Sequence, residues 1–446
     1  MASSSVVQGR TGIKHVNDFI TNIRHPYAKT WDKSNTSVLF EIANIHFSTA
    51  NAIRRLMISS VKTVGFRSEP YNESGINIII NDSPLHNQMM AHRIAMVPIY
   101  IPTPEKFDIT DYLFIINVVN TTNTSRQITT EDFQIKNIST NKMLSREEVI
   151  KFFPPDPITG GYILLTTLRP KYFVPYKSVS KEVVNEMTKE FNKPVNEPMS
   201  FHIEAKASIS NGAENGHYSP VACACYINTV DPERADLGLK DYIDTQNALA
   251  IKQKTATIAL EVLKRRFDLN ERSRYFYIND KDEPNVFTFN IESVNVIPPL
   301  IIFHRAIDIL KEKINTFISN LISKNTNIIT TNAIAQVNKE LNNNYEIIVK
   351  NEDDTLGNII QSHLCMLYAD FNLPIEKRKL KFIGYKRPHP LENHIIFVVQ
   401  GTNNMSLDTI IGDIIKPCCV EIIKMLNKIQ HELEGTVQFI NELKLL

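Results

Sequence analysis

Two histidines are the side chains best suited to acid–base work in this 446-residue chain: His92, six residues before Pro98, and His389, between Pro388 and Pro390. A general base needs a nucleophile or an orienting carboxylate within reach. Neither histidine has one at a supporting spacing, and no loop of phosphate-cradling type accompanies them. Both are read as histidines that hold a loop or an interface by hydrogen bonds, with the prolines stiffening the second turn by fixing φ. Asp353-Asp354 could suggest magnesium, but acidic residues at a helix start answer the positive end of the helix. The cysteines (Cys223, Cys225, Cys365, Cys418, Cys419) form no CxxC pair and no zinc-finger spacing. They are read as buried free thiols. No catalytic residue, metal ligand or cofactor is assigned. Arg54 and Arg55 remain: adjacent guanidinium groups that can grip carboxylates in bidentate fashion.

Elements long enough to carry these residues imply more than one core, because 446 residues exceed an ordinary single domain. Hydrophobic residues make up 43% and charged residues 22%, the balance of a globular chain. Lys plus Arg is 49 against 48 for Asp plus Glu, which argues against a protein that wraps nucleic acid by neutralising phosphates. The most apolar run, Tyr112 to Val119, is strand-sized and too short to span a bilayer. Met1 to Gly12 lacks the charged and apolar regions of a secretory signal. The expectation is an intracellular protein without membrane contact.

Two stretches resemble each other. Phe47 to Met57 and Asp354 to Leu364 each run as hydroxyl residue, any residue, small residue, Asn, then apolar helical positions. Before the first, Val38, Phe40 and Ile42 alternate as in a strand, and Ser48 or Thr49 offers an N-cap oxygen. Ile53, Leu56, Met57, Val61 and Val64 then form one apolar stripe, with Asn51, Arg54 and Arg55 off it. Before the second, Tyr345 to Val349 reads as a strand, and Asp353 or Asp354 can cap. Between Gly65 and Ile227, strand-like runs alternate with Pro-, Asn- and Gly-containing loops. A helix is expected around Thr245 to Phe267.

Each repeat leads to a long helix. Pro298-Pro299 opens one whose Phe303, Ile307, Leu310, Ile314, Phe317 and Leu321 step by four and three. The last helix carries Ile411, Ile415, Cys418, Ile422, Met425 and Ile429 in the same rhythm, with Pro417 expected to kink it. A seam of this kind needs a partner helix. The fold class is therefore α+β: two strand–helix–strand-pair–helix units that pair inside one chain as a helical bundle beside their sheets, with a β-rich module spliced into the first.

Several motifs in order carry a family resemblance. Asn51-Ala52-Ile53-Arg54-Arg55, Ala91 to Pro98, Leu168-Arg169-Pro170, Gly216 to Ala222 and Phe287 to Val294 resemble the third-largest subunit of eukaryotic RNA polymerase II, its archaeal counterpart and the bacterial α N-terminal domain. Glu352 to Asn358 and Gly384 to Glu392 resemble the eleventh subunit and its own archaeal counterpart. The resemblance spans roughly residues 37 to 435. In cellular enzymes these are two polypeptides; their fusion is similar to the arrangement in large DNA viruses of eukaryotic cytoplasm. The resemblance implies a noncatalytic assembly subunit that docks the two largest, catalytic polymerase subunits and small subunits like the tenth and twelfth, touching DNA only through the complex. It implies a viral source, with host cytoplasm and virion as locations, or the nucleus for a cellular protein. No cysteine lies between Gly65 and Val221, so thiolates cannot bind there the metal that some relatives carry.

The expected domains are 12–64 with 229–325 (first dimerisation unit), 65–228 (inserted module), 326–344 (linker) and 345–446 (second unit). By resemblance the subunit-contacting residues are Asn51, Arg54, Arg55, His92, Arg93, Pro98, Arg169, Ser219, Pro220, Asn358, Lys386, Pro388, His389 and Pro390. The internal seam is expected to comprise Ile53, Met57, Phe303, Ile307, Leu310, Ile314, Phe317, Leu356, Ile360, Ile415, Ile422 and Ile429. Two other functions compete: a nucleic-acid-binding regulator using the charged stretch 229–283, and an enzyme using His92 or His389.

Overall fold

The computed structural model describes residues 19–26, 36–170, 198–253, 258–323, 329–333 (backbone only), 344–402 and 405–445. Residues 12–18 of the expected first unit, and 324–328 and 334–343 of the linker region, lie outside them.

The chain opens with β1 (Ile20–Arg24) and β2 (Ser37–Ala43), which pair antiparallel. Asn44 then turns into the left-handed region at φ 59°, a conformation that Asn tolerates better than most residues. Helix α1 (Phe47–Ser59) follows. Its N-cap is His46, whose ring accepts the Ser48 amide at 3.2 Å. The expected caps Ser48 and Thr49 are instead buried in the first turn, because the helix starts two residues earlier than a Ser48 cap would need.

The inserted module runs through β3 (Lys62–Phe66), β4 (Ile76–Asn81), helix α2 (Asn87–Ala95), β5 (Tyr112–Asn120), β6 (Arg126–Thr129), β7 (Gln134–Asn137), β8 (Lys142–Met143), helix α3 (Arg146–Phe152), β9 (Leu164–Leu168), β10 (Met199–Ala205) and β11 (Ala207–Asn211). Its largest sheet has the order β4-β10-β5-β7-β8. Phe66, Phe114, Phe133 and Phe201 help fill a core of its own.

The first unit resumes at β12 (Val221–Asn228). This strand pairs with β13 (Val286–Ser293), which pairs with β2. The insertion therefore ends before Val221, not at 228 as expected. Alternation marks a strand, but which sheet it joins is a long-range matter. Between β12 and β13 stand α4 (Pro232–Lys252) and α5 (Leu260–Asn270) in place of one helix over 245–267. Helix α6 (Pro299–Ile322) follows, with proline in its first turn, where the missing N–H costs no hydrogen bond.

The second unit repeats this plan. Strand β14 (Ile329–Ala333), within the expected linker, pairs with β15 (Asn344–Lys350). Asn351 adopts φ 59°, and α7 (Asp354–Leu364) starts on the N-cap Asp353. Strands β16 (Leu380–Lys386) and β17 (His394–Gly401) come next. The last long helix is α8 (Leu407–Ile410), a π-helical turn (Ile411–Ile415), then α9 (Lys416–Glu434), before the short α10 (Val437–Leu443). Pro417 cannot donate to the preceding turn, and the wide turn sits just ahead of it, where a kink was expected.

Sheet orders are β1-β2-β13-β12 and β14-β15-β17-β16. In chain order both sheets read first, second, fourth, third. The unit is duplicated, and the inserted module occupies the connection between helix and third strand in the first copy alone. One buried cluster draws on both units, from Val38 and Phe40 to Phe397 and Leu433. Among the described residues there are thus two cores, one shared by the two repeated units and one belonging to the insertion.

Candidate functional site: the pairing interface and the docking residues

Repeated units that share a core must meet along their apolar stripes. Ile53, Met57, Phe303, Ile307, Leu310, Ile314, Phe317, Leu356, Ile360, Ile415, Ile422 and Ile429 all lie buried in the common cluster. Phe317 of α6 reaches Phe397 in the second sheet, ring centroids 5.8 Å apart. The small positions in the repeat also have a cause. Ala50 is fully buried. A Cβ added to its counterpart Gly357 would stand 2.6 Å from the ring of Tyr385.

Polar contacts then fix the register. Arg55 donates from Nε to Thr355 Oγ1 at 2.8 Å and from Nη2 to Asp353 Oδ2 at 3.1 Å. Asp353 is also the cap of α7 and accepts the Thr355 amide at 3.0 Å. Burial pushes the Asp353 carboxyl up, but bonds from Thr355 and the Arg55 charge outweigh it and hold the group below the usual carboxylate range. Lys313 of α6 meets Glu352 at 2.8 Å. On the Glu352 carboxyl, burial wins over Lys313 and leaves its pKa raised. Both pairs line a groove of about 420 Å³ that also contains Arg54, Ala213 and Asn393. Arg55 therefore makes its ion pair within the chain, contrary to the expectation of an outward-facing double arginine. Arg54 is held by Asn51, whose Oδ1 accepts from Nε at 3.1 Å and Nη2 at 3.0 Å.

A second polar set lies between α6 and α9. Gln430 donates to Asp308 Oδ1 at 2.9 Å and contacts the His304 ring, His304 Nε2 meets Glu434 at 2.8 Å, and Lys311 reaches Gln430 Oε1. Carboxylates of the second unit also satisfy backbone of the first. Glu432 accepts the Phe19 and Ile20 amides at 2.6 and 3.1 Å. Glu442 accepts Leu300 N–H at the start of α6 at 2.8 Å. Burial pushes the Glu442 carboxyl up to about 7, despite the favourable helix end. His363 of α7 is 8% exposed and donates from Nδ1 to Ile359 O at 2.8 Å. Its ring faces His46, the cap of α1, at 6.1 Å.

The remaining candidates are dispersed. His92, half-exposed on α2, contacts Glu69 at 3.0 Å, and Arg93 donates to Leu164 O at 3.0 Å. Pro98 is half-buried. The Arg169 carbonyl accepts from Asn120 at 2.7 Å. Ser219 donates to Val221 O at 3.2 Å, while Pro220 is buried and its carbonyl accepts Val294 N–H at 3.0 Å. Asn358 accepts from Ser362 at 3.1 Å. Lys386 pairs with Glu346 at 3.2 Å. Pro388, His389 and Pro390 stand exposed at the β16–β17 turn, which His389 braces by accepting Leu391 N–H at 3.1 Å. Among the described residues, no His, Cys, Asp or Glu group is placed to hold a metal ion, and no helix is long and apolar enough to cross a membrane. The thiols differ from expectation: Cys418 and Cys419 are buried, whereas Cys225 and Cys365 are exposed and Cys223 is half-buried.

Asn44 and Asn351 are absent from the expected site residues, yet both make the left-handed turn between strand and helix. Each stands seven residues before the repeat's Asn, at 51 and 358. That shared offset was the available signal. Nothing local marked Glu432 or Glu442, whose partners lie more than a hundred residues away.

A duplicated strand–helix–hairpin–helix unit, closed on its twin through a common core, defines a dimerisation domain paired with itself in one chain. The RNA polymerase Rpb3/Rpb11 dimerisation domain matches residues 39–314 and again residues 344–432. The chain belongs to that family and carries its domain twice. It is 32% identical over 78 residues to DNA-directed RNA polymerase subunit Rpo3 of Pyrococcus furiosus, covering 18% of this chain and 27% of that one. It is 28% identical over 90 residues to the probable DNA-directed RNA polymerase II subunit RPB11 of Caenorhabditis elegans, covering 20% and 62%. With subunit RPAC1 of RNA polymerases I and III of Saccharomyces cerevisiae the identity is 24% over 320 residues, covering 61% and 81%. The chain thus spans less than two thirds of the archaeal and nematode relatives.

Proposed function

We propose that this chain is the noncatalytic assembly subunit of a multisubunit DNA-directed RNA polymerase, a built-in counterpart of a two-chain platform. The observation that carries the reading is the single core shared by two copies of the dimerisation domain in one chain. Fusion makes pairing intramolecular, so it depends on effective concentration rather than on matched supply of two chains. On this reading the paired units place the two largest, catalytic subunits, and small subunits resembling the tenth and twelfth join them. Arg54, Asn51, Asn358 and the Pro388-His389-Pro390 turn supply outward groups for those contacts. Arg55 acts one step back, by fixing how the two outer faces are set relative to each other. The domains follow the expected division, except that the insertion ends before Val221 and the strand Ile329–Ala333 of the expected linker belongs to the second unit. The fused form favours a large DNA virus as source, acting in host cytoplasm and carried in the virion; a cellular version would act in the nucleus.

Native purification through this chain, followed by mass spectrometry of the intact complex, tests the reading. Two very large partner chains are the expected result. Recovery of the chain alone, or with nucleic acid and no large subunits, would refute it.

A further inference from the structure

The two repeated sheets each end on an equivalent free strand, β12 in the first and β16 in the second. An edge strand leaves a row of backbone N–H and C=O groups open, and proteins usually guard it with lysines or a bulge. Both strands have the bulge, β12 between Val221 and Cys223 and β16 between Leu380 and Phe382. Only β16 is charged. Val221 to Asn228 contains no charged residue, whereas Lys377, Arg378, Lys379, Lys381, Lys386 and Arg387 run along β16 and its flanks against a single acid, Glu376. If the cations only guarded an edge, the twin edge would need them equally.

Their surroundings leave most of that charge unanswered. Lys386 is paired with Glu346. Arg378 donates to the carbonyls of Leu373 and Phe371, and Arg387 to those of Pro390 and Glu392. Lys379 lies over the Tyr368 ring at 5.9 Å. Among the described residues none of these three, nor Lys377 or Lys381, meets a carboxylate within ion-pair distance. Large apolar side chains stand exposed among them, Phe371 at 83%, Ile375 at 83% and Phe382 at 52%. A guarded edge would hide such groups rather than present them.

We infer that the β16 edge is a docking strand for an extended, acidic segment of a partner protein. That segment adds alongside Phe382 to Lys386 by main-chain hydrogen bonds. Its carboxylates meet Lys377 and Lys381, and its apolar side chains cover Phe382 and Phe371. The surface is read from strand order and charge alone and stands whether or not the chain assembles a polymerase.

Fluorescence anisotropy with the full chain and a labelled octapeptide alternating Glu with Val tests this, with amide hydrogen exchange as the local readout. The acidic peptide should bind and slow exchange at Phe382 to Lys386. The surface double variant K377E/K381E should weaken it by about tenfold or more, with the fold checked by circular dichroism. A proline-interrupted peptide should fail, since it lacks the donors a strand needs. Equal binding of a Lys-Val octapeptide, unchanged affinity in the double variant, protection elsewhere, or binding of a single-stranded oligonucleotide in preference to the acidic peptide would each overturn the inference.

Discussion

Phe317→Ala is expected to destabilise the two dimerisation units together. Phe317 is 3% exposed on α6 of the first unit, and its ring packs against Phe397 of the second. Truncating a buried phenylalanine removes transfer free energy and leaves a cavity, a loss of about 3 to 5 kcal/mol. Because the cluster draws on both units, the loss should appear as one lowered urea transition and as faster amide exchange in α1 and α7 alike. The inserted module has its own core, so β5 and β10 should retain more protection. Faster exchange confined to the first unit would mean that the two units hold separate cores.

The second large effect is a pH dependence of stability with His363 at its centre. Burial pushes the His363 pKa from 6.5 down to about 4, a hydrogen bond to Ile359 opposes this, and the neighbouring His46 adds to it. Burial likewise lowers His46, with Glu283 opposing and Lys281 assisting. A histidine that must be neutral in the fold contributes fully above the unfolded pKa of 6.5, and that contribution is lost as pH falls toward 4. A difference of 2.5 units amounts to roughly 3 kcal/mol. Glu442 works in the other direction. Its carboxyl, raised from 4.5 to about 7, gives a contribution that is full below 4.5 and lost as pH rises through 7. Between pH 4.5 and 6.5 the contributions of His363 and Glu442 therefore slope in opposite directions. In His363→Phe the share of the acid loss that His363 carries should vanish while that of His46 remains, so stability from urea midpoints should fall less steeply with falling pH than in the wild type. In Glu442→Gln the acid loss should steepen. Identical slopes in the wild type and both variants would contradict this assignment.

Much of the architecture was legible because its signals are local. Alternation at Val38, Phe40 and Ile42, the four-and-three steps of Phe303 to Leu321, and the doubled Asn51/Asn358 pattern each reflect one element meeting one apolar surface. The seam residues share a core for the same reason. Pairing partners are another kind of information. The alternation of Val221 to Asn228 identifies a strand but not its sheet, and on that point the expected boundary at 228 failed. Arg55 illustrates the limit for long side chains. Its place off the apolar stripe was readable, but its reach to Asp353 depends on where a helix some 300 residues later packs. Cys223 and Cys225 stand opposite Glu292 and Asn290, on the face of the sheet turned away from the core, and only the register with β13 reveals this.

Arg55 also changes how the two repeats differ. Its counterpart in the second unit is Ser362, and the counterpart of the cap Asp353 is His46. A first unit paired with a second copy of itself would point Arg55 at a histidine cap and lose the ion pair. The half-exposed pair contributes only about 1 kcal/mol or less, yet it favours the mixed pairing over the symmetric one.

The central claim is that two dimerisation domains recognise each other inside this chain, and dividing the chain between them tests it most directly. Residues 1–325 carrying an affinity tag and untagged residues 326–446, co-expressed as separate polypeptides, should co-purify as a one-to-one complex, since the shared cluster and the Arg55–Asp353 and Lys313–Glu352 pairs survive the cut. Recovery of a well-folded first fragment without the second, or as a homodimer, would contradict the account.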